Sequence, residues 1–175
     1  MSSPQDVRCE IAVIGGGIAG SALAALLARS GRDVLLLEKD RFPRHKLCGE
    51  FLSAQSQSLL QRVGCLEGVL ARGPAHITQG RFFSPSGRDA VLDLNGTAMG
   101  LSRWSLDETL LRHARSCGAS VYEGARVLRL EEVRGGSRLG VDWEDGRRLS
   151  ASARLVVAAY GRRSGLDARL ARKLG

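Results

Sequence analysis

Three consecutive glycines interrupt an apolar segment near the start of the chain, where residues 11–20 read IAVIGGGIAG. The apolar run 9–14 ends at these glycines, which is typical of a buried parallel strand. Residues 18–30 are rich in Ala and Leu and predict a helix that Gly31 closes in a left-handed conformation. Residues 33–38, DVLLLE, predict a second strand. A strand, a glycine turn, a helix and a strand make a βαβ unit, so we expect an α/β fold with a parallel sheet.

The glycines are spaced as G-x-G-x-x-G, with Gly15, Gly17 and Gly20 at the three fixed positions. The first glycine makes the tight turn, the second lets the backbone approach a diphosphate, and the third allows the helix to pack closely on the strand. Backbone N–H groups at the helix start, including those of Ile18 and Ala19, would bind the diphosphate without a cationic side chain. This triplet between a strand and a helix predicts a dinucleotide site.

An acidic residue, Glu38, ends the second predicted strand and is followed by Lys39. A carboxylate at this place accepts hydrogen bonds from the hydroxyls of an adenosine ribose, and it would repel a ribose 2′-phosphate. We therefore expect Glu38 and Lys39 at the cofactor site and expect NADP to be disfavoured there. NAD and FAD share the same ADP half, so the βαβ unit leaves the choice between them open. A glycine turn followed by a solvated glutamate is the purely structural alternative.

The net charge of the 175-residue chain is +8, which raises the question of a nucleic-acid partner. Only three of its basic residues are lysines, and the arginines are scattered along the chain. No basic helix or aromatic platform accompanies them, so we expect no nucleic acid among the partners.

The four cysteines form no C-x-x-C pair and have no metal-ligand spacing with the three histidines. We expect them to be reduced, the protein to be cytoplasmic, and no metal to be bound. No apolar run reaches the roughly 20 residues of a membrane span, so no integral membrane segment is expected.

The stretch after Glu38 bears on the choice of cofactor, since residues 39–53 read KDRFPRHKLCGEFLS. Arg44 and its two basic neighbours are potential donors to the far phosphate of a long cofactor. The segment CGEFLS resembles the flavoprotein superfamily of aromatic-ring hydroxylases, and most closely its geranylgeranyl-reductase-like branch. This resemblance implies FAD, with Arg44, Cys48 and Gly49 near it. For Cys48, an inert thiol is the alternative to any catalytic role.

The resemblance also implies a division of the chain into an FAD-binding Rossmann-like domain, 1–73 and 101–175, and the start of a β-rich substrate-covering sheet, 74–100. The sequence predicts helices over 54–63 and up to about residue 71. It then predicts β structure from residue 77 to residue 100, with turns at 85–87 and at Asn95–Gly96.

A helix is predicted after residue 101, with Ser105 and Glu108 as a capping box. A parallel strand over 119–123 and a three-stranded meander over 127–153 follow, with a hairpin turn at 145–146. The residues Arg103, Leu106 and Asp107 match an Arg-x-x-hydrophobic-Asp motif of the resembled family, whose arginine reaches the FAD. The same resemblance implies that Val127 contacts the adenine.

The segment 154–164, RLVVAAYGRRS, predicts a central strand and resembles the family's second fingerprint, which usually contains Asp-Gly. Tyr160 holds the place of that aspartate, which weakens a monooxygenase interpretation. A third fingerprint, beginning Gly-Asp, does not occur in the chain. The sequence is therefore similar to the N-terminal half of such an enzyme, and we expect an incomplete fold whose C-terminal half is encoded downstream.

The leading hypothesis is an FAD-dependent reductase or dehydrogenase for a small organic or lipid-like substrate, with NAD(P)H as a possible electron donor. An FAD-dependent aromatic monooxygenase is the first alternative, and a non-catalytic NAD- or adenine-nucleotide-binding module or inactive fragment is the second. A flavin-dependent halogenase ranks lower, because that group relies on a lysine beyond the first βαβ unit and none lies between Lys46 and Lys173. No catalytic acid or base can be named from the sequence.

Overall fold

Nine strands and four helices follow one another along residues 5–161, the part of the chain that the computed structural model describes. The strands are β1 (Gln5–Ile14), β2 (Val34–Glu38), β3 (Phe51–Leu52), β4 (Ala75–Phe83), β5 (Asp89–Gly100), β6 (Ser120–Glu123), β7 (Arg126–Val133), β8 (Gly136–Asp142) and β9 (Arg148–Ala158). The helices are α1 (Ile18–Arg29), α2 (Ala54–Val63), α3 (Leu66–Leu70) and α4 (Arg103–Ser116). None of these four helices, within the described residues, has the length and apolar character needed to cross a bilayer.

Six strands form the main sheet in the order β6-β2-β1-β9-β8-β7. The strands β6, β2, β1 and β9 are parallel to one another, while β9, β8 and β7 form an antiparallel meander. The connection from β1 through α1 to β2 is the expected βαβ unit. The Rossmann-like α/β fold with a parallel sheet and a β-meander is therefore confirmed.

The two faces of this sheet carry separate hydrophobic cores, and β2 contributes to both because it is buried on each side. Val34 and Leu36 face the helices and pack in one cluster with Leu106 and Leu110 of α4. The alternate residues of β2 face the other way and pack beneath the meander. This period of two along a strand that is apolar from Val34 to Leu37 is typical of a parallel sheet that is covered on both sides.

Strand β9 is longer than the sequence predicts, because it serves both parts of the sheet. Its first half pairs antiparallel with β8, and residues along its whole length pair parallel with β1. The prediction that the meander ends at residue 153 and that a separate strand begins at residue 154 is therefore wrong. Because β9 pairs with β1 on one side and with β8 on the other, it joins the parallel strands and the antiparallel meander in a single sheet.

A second, three-stranded sheet has the order β3-β5-β4. The predicted turn at 85–87 is confirmed, and Gly87 there has a positive φ of 80°. The second predicted turn, at Asn95–Gly96, is wrong, because β5 continues through it. The register shifts between Ile77 and Gln79 of β4, so Asn95 and Gly96 lie in an irregularity of the ladder instead. A glycine with φ of 98° bends the strand without reversing it.

The cap of α4 also differs from the prediction. Ser102, not Ser105, is the N-cap residue, and its side chain accepts a hydrogen bond from the backbone N–H of Ser105. Arg103 is consequently the first residue of the helix and does not precede its cap. The end of α4 is as predicted, since Gly118 follows it with a positive φ of 102°.

Candidate cofactor site

The turn between β1 and α1 carries the three glycines of the G-x-G-x-x-G pattern, and at two of them any side chain would clash. Gly15 has a φ of 109°, and a Cβ there would lie 2.6 Å from the carbonyl oxygen of Ala159. A Cβ at Gly20 would overlap the carbonyl oxygen of Gly15, so this glycine packs the helix against the turn itself. Gly17 is different, because a Cβ there would meet nothing within 4 Å. The open space beside Gly17 is where a ligand can approach the backbone.

The N-terminus of α1 points its backbone N–H groups toward this space. Gly17 is the N-cap residue, no side chain caps it, and the first turn carries no acidic residue. The first hydrogen bond within the helix runs from the N–H of Ser21 to the carbonyl of Gly17, at 2.9 Å. The positive end of the helix dipole is therefore not compensated by a side chain, which favours an anion at this end.

The carboxylate of Glu38 is held at the carboxyl end of β2, where its residue is only 4% exposed. Its Oε2 atom accepts a hydrogen bond from the N–H of Gly16 at 2.6 Å, and its Oε1 atom accepts one from the N–H of Asp40 at 2.8 Å. These two bonds fix the orientation of the carboxylate and leave it further lone pairs toward the groove. The sequence placed Glu38 at the site but gave no signal for its bonds to Gly16 and Asp40.

A groove of about 500 Å³ connects these features along the carboxyl ends of β1 and β2. It contains eight of the residues that the sequence assigns to the site, namely Gly15, Gly17, Ile18, Ala19, Glu38, Lys39, Arg44 and Val127. Gly20 lies buried behind the turn and does not line it. Cys48, Gly49 and Arg103 are not among the lining residues either. Lys46, one of the two basic neighbours of Arg44 that the sequence offers as donors, also lines the groove, whereas the contributions of Ala125 and Arg126 were not anticipated.

Val127 lies where the pairing of β7 with β8 is irregular. The register shifts between Val127 and Arg129, so the backbone there departs from a regular ladder. Ala125 is anchored beside it by a hydrogen bond from its N–H to the carbonyl of Glu38, at 2.8 Å. This bond brings the start of β7 to the end of β2, which explains why residues remote in sequence share one groove.

Arg44 and Lys46 supply positive charge at the same groove. The guanidinium of Arg44 forms an ion pair with Asp40, with its Nε atom 3.1 Å from Oδ2, and lies 5.2 Å from the centre of the Phe42 ring. Its side chain is one-quarter exposed, so its charge is available to a bound anion.

Arg103 and Cys48 both lie outside the groove. Both carboxylate oxygens of Asp107 accept hydrogen bonds from Arg103, at 2.6 and 2.7 Å, and Asp107 is 1% exposed. These bonds are the main cause that raises the pKa of Arg103, and contact with Cys48 adds to it. Arg103 therefore keeps its charge while being held by its own helix.

All four cysteines lie within the described residues and are free thiols. Burial raises the pKa of the Cys9 thiol to about 11, so this thiol stays protonated at neutral pH. Among residues 5–161, no three His, Cys, Asp or Glu side chains are grouped as a metal site would require. The end of the second predicted fingerprint, residues 162–164, lies outside the described residues.

Comparison with protein families matches residues 8–173 to a family described as FAD binding domain. The match extends over nearly the whole chain. The chain belongs to this FAD-binding family. FAD is accordingly its cofactor, as the resemblance implied.

Two curated relatives illustrate the range of this family. The flavin-dependent halogenase armH1 of Armillaria mellea is 36% identical over 165 residues, which cover 87% of this chain and 31% of that protein. The menaquinone reductase of Mycolicibacterium smegmatis is 33% identical over 158 residues, which cover 87% of this chain and 38% of that protein. The chain thus spans about a third of the length of the curated relatives that it matches.

Solved structures share the FAD-binding fold. The crystal structure of a flavoprotein/dehydrogenase from Cytophaga hutchinsonii has a TM-score of 0.80 at 27% identity and covers 88% of this chain and 39% of that chain. A geranylgeranyl bacteriochlorophyll reductase-like protein from Thermoplasma acidophilum has a TM-score of 0.76 at 24% identity and covers 89% and 40%, respectively. The second likeness is one of fold alone.

The groove fits the ADP half of FAD by its own chemistry. It offers open space beside the backbone of Gly17, an uncompensated helix N-terminus for the diphosphate, and a fixed carboxylate for the ribose hydroxyls. A buried carboxylate, a positive helix end and basic side chains are arranged in one continuous groove, so the ribose hydroxyls and the diphosphate of a bound cofactor would each have a complementary group within it.

Proposed function

We propose that the protein is an FAD-dependent oxidoreductase, a reductase or dehydrogenase that acts on a small organic or lipid-like substrate. The observation that carries this proposal is the groove between the glycine turn and Glu38, which has the complementary groups for the ADP half of the cofactor. Family membership supplies FAD, and the chemistry of the groove residues supports the proposal that they hold its ADP half.

In this proposal the N–H groups of Ile18 and Ala19 donate hydrogen bonds to the diphosphate. Glu38 accepts hydrogen bonds from the ribose hydroxyls, and Val127 contacts the adenine. Arg44 neutralises the phosphate farther from the adenosine. When bound, FAD supplies the capacity to take up and release an electron pair, and the protein supplies binding, orientation and charge.

Three observations favour a reductase or dehydrogenase among the activities of this family. A menaquinone reductase is 33% identical to the chain over most of its length. Tyr160 holds the position at which the monooxygenase branch carries an aspartate, which disfavours the aromatic monooxygenase alternative. The third observation is that no lysine lies between Lys46 and Lys173, although the halogenases of this superfamily rely on one beyond the first βαβ unit.

A halogenase is the second candidate function, and the relative at 36% identity favours it. It requires that a lysine outside the first βαβ unit take part in the reaction. Lys46 lies outside that unit, which ends at Glu38, and lines the groove beyond Arg44, so it is the lysine that a halogenase mechanism would use here.

We also propose that residues 74–100 begin a substrate-covering sheet, while 1–73 and 101–175 form the FAD-binding domain. Large apolar side chains on β4 and β5 support this, because Phe82 and Leu92 are 61% and 56% exposed and so are available for further packing. The substrate, a downstream C-terminal part and NAD(P)H as electron donor are proposed partners. Free cysteines favour a cytoplasmic location.

The experiment that separates these activities is reoxidation of the reduced flavin under controlled conditions. The purified protein is photoreduced without oxygen and mixed with a menaquinone analogue, and the return of the oxidised flavin spectrum is followed. The proposal predicts rapid reoxidation without oxygen. If reoxidation requires oxygen, and a chlorinated product forms from a phenol only when chloride is present, the halogenase is correct and the reductase is wrong.

A further inference from the structure

Two of the four free thiols lie at the ends of neighbouring helices. Cys65 is the N-cap residue of α3, and Cys117 is the C-cap residue of α4. Both belong to one hydrophobic cluster, with Cys65 inside it and Cys117 packed against it. Neither is among the residues that line the cofactor groove. The two thiols therefore form a group of nucleophiles that is separate from the cofactor site.

The side chain of His113 joins these two helix ends. Its Nε2 atom lies 3.0 Å from the carbonyl oxygen of Val63, two residues before Cys65, and 3.5 Å from the Sγ atom of Cys117. A carbonyl oxygen only accepts hydrogen bonds, so the contact with Val63 requires a hydrogen on Nε2. The sulfur of Cys117 consequently faces a donor. A thiolate, the form of cysteine that attacks an electrophile, would accept a hydrogen bond from this N–H group.

The surroundings of Cys65 differ from those of Cys117. Cys65 is 3% exposed, and burial is the main cause that raises the pKa of its thiol. The charge of Cys117 raises this pKa as well, so the two sulfur atoms are near enough for their charges to interact. Cys65 lines a cleft of about 340 Å³ together with His113, while Cys117 is partly exposed. A small oxidant can therefore reach both thiols, but Cys117 is the one suited to react first.

We propose that Cys117 and Cys65 are a peroxide-sensitive thiol pair: Cys117, assisted by the N–H group of His113, reacts first with hydrogen peroxide, and Cys65 then closes a disulfide between the start of α3 and the end of α4. In the first step an S–O bond forms on Cys117 as the O–O bond breaks, and the departing hydroxide takes up a proton to become water.

The second step consumes the sulfenic acid that the first step leaves on Cys117. The sulfur of Cys65 attacks it, so an S–S bond forms, the S–O bond breaks, and a second water leaves with the Cys65 proton. The two thiols lose one electron pair in total, and the peroxide gains it. A dithiol reductant reverses the modification by thiol–disulfide exchange.

Mass spectrometry of the FAD-loaded protein tests the pairing, because trypsin places each cysteine in a different peptide. These peptides are 9–29, 47–62, 63–72 and 116–126. After treatment with hydrogen peroxide, we expect peptides 63–72 and 116–126 to be linked until a dithiol reductant separates them. The proposal is overturned if Cys117 links to a different cysteine, is oxidised without forming a link, or stays reduced while the exposed Cys48 is oxidised.

Serine variants test the order of the two steps. In Cys65→Ser, Cys117 should remain as a sulfenic acid that dimedone traps, whereas in Cys117→Ser the thiol of Cys65 should stay reduced. Cys48→Ser is the matched control, and it should form the link as the wild type does. A sulfenic acid on Cys65, or none on Cys117, would show that the proposed order is wrong. If a serine variant fails to fold, the peptides of the wild type still decide the pairing.

Two replacements of His113 test its part in the first step. His113→Leu removes the N–H group, and His113→Gln keeps an N–H donor at the end of the side chain. We expect the link to form about tenfold more slowly in His113→Leu, the effect of losing one hydrogen bond to a charged sulfur. In His113→Gln the rate should stay within about threefold of the wild type. Equal rates in His113→Leu and the wild type would contradict the role given to His113.

Discussion

Replacement of Gly17 by valine separates the binding of the cofactor from the stability of the fold. Gly17 has φ and ψ of −71° and −174°, an extended conformation that L residues adopt freely. A Cβ at this position meets no atom within 4 Å. Valine is a poorer N-cap than glycine by about 1 kcal/mol, and the lower entropy of the unfolded chain offsets about half of that. The midpoint of thermal unfolding should therefore change by no more than about 3 °C.

The same substitution places three carbon atoms where the ligand approaches the start of α1. If the diphosphate can no longer reach the N–H groups of Ile18 and Ala19, at least two charge-assisted hydrogen bonds are lost, or about 3 kcal/mol. We expect FAD affinity to fall at least about 100-fold. The assay is FAD titration alongside thermal unfolding, with Gly17→Ala as the smaller step. A Gly17→Val protein that folds normally and retains wild-type FAD affinity would refute the assignment of the diphosphate to this turn.

Two further predictions concern stability. Glu38→Ala leaves the N–H groups of Gly16 and Asp40 without their acceptor, so we expect a loss of about 2 kcal/mol in the free energy of unfolding, measured with urea. Glu38→Gln, which keeps an acceptor, should lose less, and equal losses would show that the two hydrogen bonds are not the cause. The raised pKa of Cys9 makes its neutral thiol stabilising below the ordinary pKa of 9.0, and this contribution is lost as the pH rises toward about 11. The unfolding midpoint should fall across that range and fall less in Cys9→Ala, and parallel curves for the two proteins would contradict this account.

The parts of the fold that the sequence predicts are those with local signals. The βαβ unit follows from the change of apolar period around residues 15–20, and α2 has the bounds that Ser53 and Gly64 indicate. The end of α4 follows from Gly118. In each case the residues that determine the element lie within or directly beside it, so no knowledge of remote partners is needed.

The remaining errors concern positions where the local sequence allows two structures, or where remote contacts decide between them. A serine occurs at both 102 and 105, and either could begin a helix, so only the observed hydrogen bond between them identifies the cap. Asn95–Gly96 is a common hairpin signal, yet β5 pairs with β4 on both sides of it, at Asp93 and at Ala98, which keeps the strand extended. The bond from Gly16 to Glu38 joins residues that are 22 positions apart. No local pattern reports such a bond, which explains why the fold was easier to predict than the details of the site.

The central claim is that this chain binds FAD through the groove between the glycine turn and Glu38. The most direct measurement is the identity and amount of the nucleotide that co-purifies with the protein, obtained by absorption spectroscopy and mass spectrometry after heat release. The account predicts a yellow protein with about one FAD per chain, and no FAD with the Gly17→Val variant. A colourless protein that binds NAD, but not FAD, in the same groove would contradict it.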